Sequence, residues 1–148
     1  MYSEITDETP LIDFYIKNGL EYSDSDEIST DLVKCWKAEE VKAETQNVRL
    51  VGGCTLARRE GRYICDGIAT DPSIRGSGVG KRLLMKMLDE VRNLGGDSIY
   101  LVARAPGFFT KLGFMSIRRE EAPTFFECFS CPQYGKTCYP EVMRFDIN

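Results

Sequence analysis

Between residues 78 and 94, Leu83, Leu84, Met87, Leu88, Val91 and Leu94 recur at the helical period, while Lys81, Arg82, Lys86, Asp89, Glu90 and Arg92 fall on the other side. This predicts an amphipathic helix stopped by Gly95-Gly96. An earlier helix is predicted from Thr9-Pro10, with Thr as N-cap and Pro at the first helical position. It would bury Leu11, Phe14 and Tyr15 and end at Asn18-Gly19. The acidic stretch 21–31, EYSDSDEISTD, reads as a solvated loop. Strands are expected at 34–38, 48–58 and Arg62–Thr70, the last two joined by Arg59-Glu60-Gly61 as an antiparallel hairpin. Further strands are expected at Ser98–Ala103, 114–118 and 142–147, with a short helix over 106–112 closed by Gly113. The order strands, helix, strand, helix, strand describes an α/β fold, a mixed sheet with a helix packed on each side.

The chain has 148 residues, 43% of them hydrophobic, which suits one domain with its own core over 1–148. Its net charge of −4 provides no basic stripe to displace counterions from a phosphate backbone, so a small ligand or a protein is expected as partner rather than a nucleic acid. The N-terminus MYSEITDETP lacks a basic and apolar leader, and no apolar run is long enough to span a bilayer, so the expectation is a soluble, cytoplasmic protein without membrane contact. In that compartment the six cysteines read first as reduced thiols. The complete lack of histidine excludes Ser-His catalysis and His-ligated metals.

The stretch 72–84, PSIRGSGVGKRLL, carries the chemistry. A Walker loop would need Gly where Arg75 stands and Ser or Thr where Arg82 stands; a dinucleotide fingerprint would need Gly at Lys81. What remains is Arg75, Gly76, Ser77, Gly78, Val79 and Gly80 between a strand and a helix N-terminus. A turn of that kind converges backbone N–H groups on one point, reinforced by the positive end of the helix dipole and by Arg75, Lys81 and Arg82. This is an anion site.

Residues 68–84, IATDPSIRGSGVGKRLL, resemble motif A of the GNAT (GCN5-related) N-acetyltransferases, an apolar strand, a Pro-containing link and R/Q-x-x-G-x-G/A. Ala105 and 109–114, FTKLGF, resemble that family's motif B. The resemblance implies a mostly antiparallel sheet splayed between Arg62–Thr70 and Ser98–Ala103. It implies acetyl-CoA in the gap, with its pyrophosphate on the glycine loop and its pantetheine arm along Ile68, Ala69 and Thr70. It also implies an N-acetyltransferase that moves the acetyl group to a primary amine by direct attack. A backbone N–H near Ala69 would polarise the thioester carbonyl, the preorganised stabilisation that dominates acyl transfer. The short helix is similar to that of amino-acid acetyltransferases such as N-acetylglutamate synthase, so an amino acid or another small metabolite is the preferred acceptor, with protein N-termini, lysines, polyamines and aminoglycosides left open. A homodimer is left open.

The family's motif B tyrosine, which protonates the departing thiolate, is Phe109 here, and a phenyl ring donates no proton. Tyr134 and Tyr139 are the candidate substitutes. Asp66 is the candidate general base, with Glu21 and Glu127 behind it. Phe108 and Phe109 are read either as cofactor contacts or as core. A segment at about 125–140 contains Cys128, Cys131 and Cys138 among aromatic residues; reduced thiols in a lid are preferred there to a metal site or a disulfide. The alternative function is a non-catalytic acyl-CoA-binding or metal- or redox-responsive module on the same fold.

Overall fold

The computed structural model describes residues 2–6, 9–18, 30–42, 44–103, 106–118, 121 and 141–147. Strands β1 (Tyr2–Ile5), β2 (Thr30–Val41), β3 (Val48–Arg59), β4 (Arg62–Thr70), β5 (Ser98–Ala103), β6 (Met115–Ser116) and β7 (Glu141–Asp146) form one sheet. Its order is β1-β2-β3-β4-β5-β7-β6. Helices α1 (Thr9–Lys17), α2 (Val79–Asn93) and α3 (Pro106–Lys111) complete the fold. Every strand pairing is antiparallel except β4 with β5.

The hairpin between β3 and β4 turns on Glu60 and Gly61, at φ 54° and 76°, the two left-handed residues of a tight turn whose twist suits paired strands. Helix α2 begins at Gly78 and ends with Gly95 at φ 82°, where the Gly96 N–H reaches Val91 O at 2.9 Å. That wrapped end is the left-handed glycine cap expected of Gly95-Gly96. Leu83, Leu84, Met87, Leu88 and Val91 are buried as the periodicity predicts, but Leu94 at the C-cap is half exposed. The last apolar position overran the helix and left the buried face.

Two helices press on the same place from opposite sides. On one face Leu83 and Leu84 of α2 pack with Cys54, Leu56, Cys65, Ile99 and Leu101; on the other, Leu11, Phe14 and Tyr15 of α1 pack with Cys35 and Ala69. Consecutive residues of β3 point to opposite faces, and at the crossing both are glycine. A β-carbon on Gly52 would meet Leu83 and Val79 at 3.0 Å, and one on Gly53 would meet Leu11 at 2.7 Å. The Gly52-Gly53 pair thus lets both helices sit close to the sheet.

Strand β1 was not anticipated, and β2 is far longer than the 34–38 expected. Thr30 and Asp31, assigned to the acidic loop by sequence, belong to β2; residues 21–29 lie outside the described set. The strand expected over 114–118 contracts to Met115–Ser116, and that at 142–147 shifts to Glu141–Asp146. No helix among the described residues is long and apolar enough to cross a membrane.

Candidate active site

Strands β4 and β5 share a single register pair, Ile64 with Tyr100. Beyond Ile64 the two strands diverge, and β4 runs on through Cys65–Thr70 paired to β3 alone among the described residues. Alternate backbone N–H and C=O groups of that segment therefore face the gap rather than a ladder partner.

At the end of β4 the chain turns sharply, and the turn is held from outside. Asp71 accepts from the Ser73 N–H at 2.9 Å, capping a short 3₁₀ turn at Pro72–Ile74. Arg49 on β3 reaches Asp71 Oδ2 at 3.4 Å, Ser73 Oγ at 3.2 Å and Glu40 Oε2 at 3.3 Å. Hydrogen bonds from Ser73, with Arg49 adding to them, hold the Asp71 carboxyl below the usual carboxylate range.

The loop then enters α2. Gly76 and Gly78 both have φ 88°, a left-handed conformation that side chains resist, and Gly78 gives α2 no side-chain cap. The first-turn N–H groups of the helix lack intrahelical acceptors, so they are oriented toward an incoming anion together with the positive dipole end. Gly80 matters for packing instead, since a β-carbon there would lie 3.3 Å from the Phe108 ring and 3.5 Å from Thr70. Its bareness lets α3 approach the mouth of α2.

These parts enclose a cavity of about 670 Å³ lined by Ile68, Ala69, Thr70, Arg75, Gly76, Gly78, Val79, Gly80, Lys81 and Phe109, with Asn18, Ile74 and Phe108. Phe108, 41% exposed, stands edge-on to Phe109 at 5.0 Å, and Phe109 in turn meets Phe114 at 5.6 Å, so the wall is anchored in the core. Of the residues singled out from sequence for the cofactor, ten converge here. Ser77 is exposed and is not part of the lining; Ala105 lies outside the described residues, as do Glu21, Glu127, Tyr134, Tyr139, Cys128, Cys131 and Cys138.

Asp66 is not brought to the cavity. The register of β4 against β3 slips between Cys65 and Gly67, leaving Asp66 as the extra residue of a bulge, 3.9 Å from the guanidinium of Arg59, which is 2% exposed. A role for Asp66 as base required it to face the cleft, which alternation alone does not fix, and the bulge sets it beside Arg59 instead. Asn18 and Ile74 are lining residues that the sequence did not suggest. Asn18 carried only the signal of a helix end.

Three cysteines are buried in the sheet, Cys35, Cys54 and Cys65. Burial, with Asp66 beside it, pushes the Cys65 thiol up to about 12, and burial likewise raises Cys54 well above its ordinary value. No group of three or more Cys, Asp or Glu suited to a metal ion occurs among the described residues.

A sequence model of the acetyltransferase (GNAT) family matches residues 6–114, which contain the strand, the glycine loop, α2 and α3. The chain belongs to the GNAT acetyltransferase family. It is an acyltransferase of that family, and its sheet, mostly antiparallel with β4 and β5 parallel, is the GNAT fold. A GNAT-family acetyltransferase from Staphylococcus aureus Mu50 has a similar structure over the whole of both chains, with a TM-score of 0.67 at 18% identity. The N-acetylglutamate synthase of Neisseria gonorrhoeae, solved with coenzyme A and N-acetyl-glutamate, matches with a TM-score of 0.67 at 18% identity; all of this chain aligns to 35% of that one. The ribosomal-protein-S18-alanine N-acetyltransferase of Escherichia coli matches with a TM-score of 0.62 at 18% identity, over all of this chain and 95% of that one. At such identities the likeness is one of fold.

Proposed function

We propose that this GNAT chain transfers an acetyl group from acetyl-CoA to the primary amine of an amino acid or another small metabolite, by direct attack. The observation that carries the proposal is the cavity that joins the glycine loop at the N-terminus of α2 to the unpaired edge of β4 at Ile68, Ala69 and Thr70.

The residues fit the ligand. Gly76 and Gly78 have open space where a side chain would stand, and the N–H groups from Gly78 to Lys81 are aimed outward for a pyrophosphate, with Arg75 and Lys81 beside them. The edge of β4 offers a pantetheine amide what an added strand would find there. Bound acetyl-CoA supplies an activated thioester. An N–H near Ala69 on that edge would polarise the acyl carbonyl. Phe109 contributes apolar surface rather than a proton, which a thiolate leaving group tolerates because an ordinary thiol has a pKa of about 8.5. Asp66, held at Arg59, has no part in this scheme.

Incubation with acetyl-CoA and a pool of amino acids, polyamines and short peptides, read by mass spectrometry, tests the reading. An amino acid or small amine gaining one acetyl group is the expected product. A modified peptide with every small amine untouched would overturn the acceptor class, and no acetylated product at all would overturn the proposal.

A further inference from the structure

Phe108 lines the cavity and keeps 41% of its surface exposed, whereas Phe109 beside it is buried. A single exposed aromatic carries little meaning by itself, but this ring is held in place. Phe109 meets it edge-on at 5.0 Å and passes the contact inward to Phe114 at 5.6 Å, and Phe114 meets Phe145 at 5.3 Å. Four rings thus run from the cavity wall into the core, the first two contacts in the favoured edge-to-face geometry.

The far end of the ring is also located. A β-carbon on Gly80 would stand 3.3 Å from Cζ and 3.7 Å from Cε2 of Phe108, and 3.5 Å from the Thr70 methyl. The ring tip, the first turn of α2 and the last residue of β4 therefore meet at one place. That place joins the two halves of the cavity, the glycine loop at the N-terminus of α2 and the unpaired edge of β4.

The covalent order of acetyl-CoA says which of its groups would pass there. Inward from the pyrophosphate, the arm begins with a quaternary carbon bearing a pair of methyl groups, and only then come its hydroxyl and amides. The amides suit the backbone N–H and C=O groups of β4, but the methyl groups gain only from an apolar wall. A phenyl ring, with neither donor nor acceptor, is such a wall.

We infer that Phe108 is the surface against which the dimethylated carbon of the acyl-CoA arm packs, so that it selects this branched arm over an unbranched one. The inference rests on the reading of the cavity as the acetyl-CoA site and adds to it the place of one chemical group.

Calorimetric titration with three probes tests it: CoA, the same molecule with hydrogen in place of both pantoyl methyl groups, and the nucleotide half alone, adenosine 3′-phosphate 5′-diphosphate. The unaltered protein is expected to bind CoA about fivefold more tightly than the desmethyl analogue. In Phe108→Ala, CoA is expected to weaken about fivefold, to the level of the analogue, while affinity for the nucleotide half stays within about twofold. Equal affinity of the unaltered protein for CoA and the analogue would overturn the assignment, and that comparison needs no variant. A Phe108→Ala protein that still prefers CoA by the full factor would overturn it too, since the methyl groups would then pack elsewhere. So would one that loses the nucleotide half as strongly as CoA, since the ring would then be stacking on adenine. Failure of the unaltered protein to bind CoA would instead overturn the reading of the cavity, on which the assignment depends.

Discussion

A β-carbon on Gly53 would stand 2.7 Å from Cδ2 of Leu11, a side chain with no exposed surface. The contact brings α1 down onto the strands that flank the cavity. Gly53→Ala overpacks the site and is expected to cost about 1–3 kcal/mol in denaturant unfolding. Leu11→Ala removes the obstruction and leaves a cavity of its own, costing about 2–5 kcal/mol. The double variant is expected to lose less than the sum of the two, because each change relieves the other. Strict additivity would mean that the helix does not rest on Gly53.

At Gly78 the constraint is conformational. With φ 88° and no atom within 4 Å of an added β-carbon, Gly78→Ala meets strain rather than collision. Stability is expected to fall by about 1–2 kcal/mol, on the scale of a left-handed penalty. Acetyl-CoA affinity is expected to drop about tenfold as the loop N–H groups turn away. Gly80→Ala differs in kind: it pushes on Phe108 at 3.3 Å, so it should alter the mouth between α2 and α3. Equal acetyl-CoA affinities in the parent and Gly78→Ala, measured calorimetrically, would contradict the role given to the loop.

The contrast between these glycines shows what was legible in the sequence and what was hidden. The glycine loop was legible because its residues need conformations and space that other residues deny. The α2 face was legible because six apolar positions kept one period, although Leu94 overran it. Strand β1 was not: four residues, YSEI, give too little alternation, and they are a strand because Tyr2, Ser3, Glu4 and Ile5 find Ala38, Lys37, Trp36 and Cys35 across the sheet. The length of β2 was masked by charge, since its extension past Ala38 runs through Glu39 and Glu40, which pair with Lys37 and Arg49 at 3.3 Å each. The face taken by Asp66 was not legible because a bulge is decided by register against β3, which one strand's own sequence does not record.

The Asp71 turn should be sensitive to acid. Its carboxyl is depressed by hydrogen bonds from Ser73, with Arg49 adding to them, so the folded value lies below the unfolded one. Its stabilising contribution is therefore complete above about pH 4 and is lost as pH falls through the folded value. Arg49→Ala and Ser73→Ala are each expected to raise the Asp71 carboxyl in an NMR titration. The stability deficit of Asp71→Asn should narrow below that range. A deficit that stays constant across the acid range would show that the charge contributes nothing.

Cys65, with its thiol pushed up to about 12 by burial and by Asp66, should stay protonated and inert at pH 8. Peptide mapping after brief iodoacetamide treatment is expected to find Cys35, Cys54 and Cys65 unmodified in the folded protein and fully modified after denaturation. Rapid labelling of Cys65 in the folded state would mean that the centre of the sheet opens far more readily than its packing allows.

The most direct test of the cavity as an acyl-CoA site is an amide NMR titration with acetyl-CoA. Shifts are expected to concentrate on Ile68, Ala69 and Thr70, on the loop from Arg75 to Lys81, and on Phe108 and Phe109, with the far end of the β3–β4 hairpin around Glu60 unmoved. Saturable shifts centred elsewhere, or none at concentrations well above those at which acetyl-CoA is present in cells, would contradict the account.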